Sequence, residues 1–139
     1  ALREAFTAGN RQPAYLWSMA AAIEMIKSGT TCCLDMDVTM AETVKAWQDI
    51  GLRGVAAYTL TNKWVPEELR SQEEEMRRST LRFVETWHHP QGLTQVSLAP
   101  STLFLCDESL LAWVRDKAEQ LNLGIQIHIS EIASEVEDS

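Results

Sequence analysis

The chain has 139 residues, 45% hydrophobic and 23% charged, with 20 acidic against 12 basic side chains and a formal net charge of −8. That length accommodates a folded domain with a true core, and the acidic balance leaves no cationic stripe for phosphates or an anionic membrane surface. No window of about 18 apolar residues is present, and Ala1-Leu2-Arg3-Glu4 lacks the basic-then-apolar order of a signal peptide. The sequence reads as a soluble cytoplasmic protein with neither nucleic acid nor membrane as partner.

Apolar periodicity alternates between helical and extended segments. Leu16, Met19, Ala20, Ile23 and Ile26 fall at helical spacing over Pro13–Ser28, and Gly29 ends the run. Thr30–Met36 is β-prone without alternation, as in a strand buried on both faces, and acid follows at Asp35 and Asp37. The odd set Cys32, Cys33 and Cys106 offers no disulfide framework or zinc spacing and reads as small apolar packing residues. Thr39-Met40-Ala41-Glu42 has the form of a capping box opening a second helix through Val44, Trp47 and Ile50 to Gly51.

Leu52–Tyr58 is a second buried strand, and Pro66 opens a long helix with Leu69, Met76, Phe83 and Trp87 on one stripe. Its run Glu73-Glu74-Glu75-Met76-Arg77-Arg78 predicts a solvated face with Glu73–Arg77 and Glu74–Arg78 pairs. Leu93–Leu98 is a third strand. Asp107 caps a helix carrying Leu110, Leu111, Val114, Ala118 and Leu121 to Gly124, and Ile125–Ile129 is a fourth strand. Its alternation sets Ile125, Ile127 and Ile129 on one face, Gln126 and His128 on the other.

The order αβαβαβαβ with short connections demands parallel strands and helical crossovers. An open doubly wound sheet and a stretch of a (β/α)8 barrel both use it; four strands make about half of such a barrel. In either case ligands sit at the carboxyl ends of the strands, here Asp35 and Asp37, Tyr58–Thr61, Ala99-Pro100-Ser101-Thr102, and His128-Ile129-Ser130-Glu131. The last brings an imidazole and a carboxylate to one mouth, the pairing that acid–base or metal chemistry uses. His88 and His89 lie where a helix gives way to a strand, the opposite face, and read as structural. Asp35 and Asp37 also suit a phosphoacceptor receiver domain, but the further carboxylates and lysine of such a site are missing.

Several segments in order resemble the amidohydrolase superfamily, specifically its cytosine-deaminase-like branch of aminohydrolases and chlorohydrolases. They are Ala22–Thr31 through Leu34-Asp35-Met36, Gly51-Leu52-Arg53, Trp87-His88 with Gly92-Leu93, Leu98-Ala99-Pro100, Asp107–Leu111, and Ile127–Glu131 with Glu135-Val136-Glu137. The resemblance implies that the whole chain, residues 1–139, is a single partial TIM-type barrel domain carrying roughly the second to fifth strands, and a fragment of a longer enzyme.

By that resemblance His128 matches a metal-binding histidine and Glu131 the glutamate that carries protons between a metal-bound hydroxide and the substrate ring. The implied cofactor is a divalent metal, zinc or iron, and the implied substrate a small heterocycle bearing an amine or chloride. The family's His-any-His pair and its later histidine and aspartate have no counterpart here, so the chain alone is expected to be inactive. Many relatives carry Ala-Pro-His where this sequence has Ala99-Pro100-Ser101, which makes Ser101 the candidate substrate contact. The competing expectation is a non-catalytic half-barrel module. In both cases uncovered edges and apolar faces favour a homo-oligomer.

Overall fold

A computed structural model describes residues 12–63 and 72–137. The predicted helix start at Pro66, with Leu69, lies outside the described residues. The elements are α1 (Gln12–Lys27), β1 (Cys32–Asp37), α2 (Met40–Ile50), β2 (Arg53–Leu60), α3 (Glu73–Trp87), β3 (Thr94–Val96), β4 (Ala99–Pro100), α4 (Glu108–Leu121) and a short α5 (Ala133–Glu137).

Every strand pairing is parallel. β1 pairs with β2 from Cys32–Arg53 to Asp37–Tyr58. β3 and β4 continue one another along the other edge of β2, through Gly54–Thr94 and Leu60–Pro100. The predicted fourth strand, 125–129, is reduced to two parallel bridges, Leu98–Ile125 and Thr102–His128. Its register slips by one residue between them, which breaks a continuous ladder. The strands therefore lie in chain order, as in a singly wound barrel.

Helices α1 to α4 share one face of the sheet. Ala22 of α1, Met40, Val44 and Trp47 of α2, Phe83 and Val84 of α3, and Leu110, Val114 and Ala118 of α4 form one buried cluster with Ala56, Leu60, Val96 and Leu98. Alternate residues of β2 carry that contact: a Cβ on Gly54 would lie 2.4 Å from the Trp47 ring, and Tyr58 meets Phe83 with ring centroids 5.9 Å apart. An open doubly wound sheet has helices on both faces, so its geometry is not the one adopted. On the opposite face the Gln126 side-chain amide donates to the Asp35 carbonyl at 3.0 Å. That contact joins the fourth strand segment to the first, so the sheet curls strongly.

Several sequence expectations are corrected. β1 is an edge strand, with Leu34 63% exposed, rather than one buried on both faces. Cys32 is exposed and Cys33 half-buried; only Cys106 is fully packed. Burial first, then neighbouring Cys32 and Asp35, pushes the Cys33 thiol up to about 11. On α1, Ser18 meets Thr43 at 2.8 Å and Ala22 is buried, while the apolar stripe of Leu16, Ile23 and Ile26 is exposed, as is Trp17 at 76%.

The Thr39 capping box does not form. Asp37 Oδ1 accepts both the Thr39 N–H at 2.8 Å and its hydroxyl at 3.0 Å, so a turn made by the acid at the strand end replaces it. Arg78 pairs with Glu75 at 3.1 Å rather than with Glu74. Arg77 does pair with Glu73, yet it is largely covered and lies 5.2 Å over the Trp113 ring, not on a solvated face. The α4 helix stops at Asn122, in the left-handed region at φ 52°, before Gly124.

His88 acts structurally, as expected: its Nδ1 accepts the N–H of Val96, the last residue of β3, at 3.0 Å. Asp107 caps α4 as expected, accepting the Leu110 N–H at 2.8 Å. The Asn62 side chain and then the Leu110 amide hold its carboxyl down to about 2.

Two outcomes follow from these contacts. Gly54→Ala forces Trp47 out of its seat and should cost about 1–3 kcal/mol, read as a lowered urea midpoint. Asp107 has a folded pKa below its ordinary value, so its stabilisation is complete above about pH 4 and is lost as pH falls toward 2. Asp107→Asn, which retains a capping oxygen, should flatten the stability profile in that window, whereas Asp107→Ala should lose about 1 kcal/mol at neutral pH.

Candidate functional site

Parallel pairing sends the ends of β1, β2 and β4 and the bridge at His128 to one edge of the sheet. Backbone hydrogen bonds lock these ends in sequence. The Ser101 N–H donates to the Leu60 carbonyl at 2.9 Å, and the His128 N–H donates to the Ser101 carbonyl at 3.0 Å. Ser101 and His128 are therefore neighbours, each fixed through its main chain. The His128 side chain is exposed, and Ser101 is half-buried.

The loop after β4 is tied to the end of β2. The Asn62 and Lys63 amides and the Thr61 hydroxyl all donate to the Leu105 carbonyl, at 3.1, 3.0 and 2.9 Å. Buried Asn62 extends the tie: its Oδ1 accepts the Asp107 N–H at 2.9 Å and its Nδ2 donates to Glu73 at 3.2 Å. The Cys106 thiol donates to the Leu60 carbonyl at 3.3 Å, and burial raises its pKa above the ordinary thiol range.

Beyond His128 the chain turns through Ser130, whose φ of 57° is left-handed, and delivers Glu131. Glu131 lines a cavity of about 180 Å³ with Thr102, Phe104, Leu105, Ile132, Ser134 and Glu135. Its backbone N–H donates to Glu135 Oε2 at 2.8 Å. Ser101 and His128 are not among the lining residues of that cavity. Sequence reasoning placed Ser101, His128 and Glu131 at the carboxyl ends of the strands; it did not foresee the main-chain contact between Ser101 and His128, and it gave Ser130 and Glu135 no role. The sequence signals for Glu135 were its place four residues beyond Glu131 and its membership of the segment Glu135-Val136-Glu137 that resembles the family.

Asp37 is engaged in the turn before α2, and partial desolvation raises the Asp35 carboxyl above its ordinary range. A catalytic zinc usually takes three protein ligands. Among the described residues no group of three or more histidine, cysteine, aspartate or glutamate side chains converges. The described donor set therefore does not make a complete metal site.

Comparison with known proteins places this geometry in a family. The chain is 39% identical over 126 residues to a 5-methylthioadenosine/S-adenosylhomocysteine deaminase of Thermoanaerobacter pseudethanolicus, covering 90% of this chain and 28% of that protein. It is 37% identical over 125 residues to a 5'-deoxyadenosine deaminase of Methanosphaera stadtmanae, covering 89% and 28%. The fold matches a zinc-bound crystal structure of an adenosine deaminase from Xanthomonas campestris with a TM-score of 0.79 and 23% identity, over 98% of this chain and 30% of that one. The chain thus spans less than a third of the length of these relatives. Residues 6–139 match the amidohydrolase family, and with its parallel, chain-ordered strands carrying histidine and glutamate at their carboxyl ends the chain belongs to that family.

Proposed function

We propose that this chain is the central part of a metal-dependent hydrolase that removes an amine from a nitrogen heterocycle of the adenosine type. A chloride leaving group is the variant of the same chemistry. Glu131 carries the reading: it stands in a cavity at the carboxyl ends of the strands, three residues beyond His128, in a chain whose relatives include deaminases.

Hydrolytic deamination adds water across a ring C=N bond and expels ammonia. The oxygen bonds to the ring carbon, one proton passes to the ring nitrogen, and another must reach the departing amine. Glu131 is the carboxyl this chain offers for both transfers. His128 is assigned as one ligand of a divalent zinc or iron, the remaining ligands lying outside the described residues. Ser101, whose hydroxyl can donate or accept, is assigned to contact the substrate. The enzyme is assigned to the cytoplasm.

On this reading residues 1–139 form one partial domain without independent activity. Purified alone and supplied with zinc or iron, the chain should release no ammonia from 5'-deoxyadenosine or methylthioadenosine. Stoichiometric tight metal together with turnover would overturn the fragment assignment. In the longer gene product that the reading requires, Glu131→Gln should lower turnover by about a hundred- to ten-thousand-fold.

A second reading, a non-catalytic half-barrel that associates with itself, is favoured by one observation. Leu34, Ile125 and Ile129 on the two outer strand segments, and Trp17 on α1, are exposed, and such surfaces promote pairing with another chain. Both readings assign the isolated chain to a homo-oligomer. Light scattering across a concentration series should give a mass above that of one chain, and a constant monomer mass would count against it.

A further inference from the structure

We propose that Glu135 is a positioning residue for Glu131, an inference that rests on the reading of Glu131 as the proton carrier. Three observations converge on it. Glu135 Oε2 accepts the Glu131 N–H at 2.8 Å, a side chain reaching back one position beyond the ordinary capping-box contact. Ser130, immediately before Glu131, holds a left-handed backbone at φ 57°, which costs strain in a serine and persists only where its surroundings enforce it. The second carboxyl oxygen, Oε1, is buried without a hydrogen-bond partner among the described residues.

These observations do not describe an ordinary helix cap. Glu135 sits in the first turn of α5, and its own N–H donates to the Ile132 carbonyl at 3.1 Å. Its side chain spans that turn and holds the amide of the residue entering it. The backbone direction at Glu131 sets where its Cα–Cβ bond points, so fixing that amide restricts where the exposed Glu131 side chain lies at the cavity that both residues line. A half-satisfied carboxylate is an expensive way to hold an amide, and what it holds is the backbone that aims Glu131.

The test is the backbone order parameter of the Glu131 amide in the ¹⁵N-labelled 139-residue chain. With Glu135 in place it should be about 0.85, the rigid value, and in Glu135→Ala it should fall below about 0.6. Glu135→Gln retains an acceptor oxygen and should keep the rigid value, which separates the contact from charge and guards against a variant that merely unfolds. Unchanged order at Glu131 in Glu135→Ala, or loss of order in Glu135→Gln equal to that in Glu135→Ala, overturns the proposal. In the longer gene product, Glu135→Ala should lower kcat about tenfold with KM unchanged, and Glu135→Gln should restore it; an unchanged kcat in Glu135→Ala also overturns it. Full turnover by Glu131→Gln would instead overturn the reading of Glu131 and leave the order-parameter result standing.

Discussion

Asn62 is the contact on which the arrangement at the strand ends depends. It lies two residues beyond β2, the strand paired on both sides, and it is buried with each of its hydrogen bonds directed at a different part of the fold. The main-chain amide holds the loop after β4 at Leu105, the side-chain oxygen holds the amide that opens α4, and the side-chain nitrogen holds Glu73 at the start of α3. A buried amide left without these partners costs about 1–3 kcal/mol for each group stranded. The loop after β4, which supplies Thr102, Phe104 and Leu105 to the cavity beside Glu131, therefore has one seat.

A second constraint is the division of the sheet into two unlike faces. The helix-facing side is closed by large side chains against small ones, with the Trp47 indole lying on Gly54 and Met40, Val44, Leu110 and Val114 filling the rest. The other side carries the reach of Gln126 to Asp35. Burial on one face and polar bridging across the other bend four parallel strands into an arc. The arc gathers the carboxyl ends, and the residues that can do chemistry lie along it.

At those ends the main chain positions the candidate residues more than their side chains do. The carbonyl of Leu60 receives both the Ser101 amide and the Cys106 thiol, and the carbonyl of Ser101 receives the His128 amide. Three successive strands are thereby set in depth relative to one another. Sequence already indicated this neighbourhood, because His128, Glu131 and Ser101 follow apolar runs whose parallel pairing forces their ends together. Glu135 was named there only as part of a resembling segment, and its contact with Glu131 was not foreseen, since it comes from a five-residue helix too short to show periodicity.

The sequence by itself determined the alternation of helices and strands as far as α4, the Asp107 cap and the glycine stop at Gly51, because each depends on local spacing or on a side chain bonding to nearby backbone; the roles given to His128 and Glu131 came from the family resemblance, not from spacing. It misassigned Thr39, whose hydroxyl had a nearer acceptor in Asp37, and the charged run of α3, where Arg77 found Trp113 from another helix. Only the tertiary structure decided which stripe of α1 packs, that β1 lies at an edge, that the sheet is singly wound, and that Gln126 meets Asp35 across 91 residues of chain. Those choices rest on which surfaces meet at long separation, and a repeat of apolar residues marks that a face exists without naming what covers it.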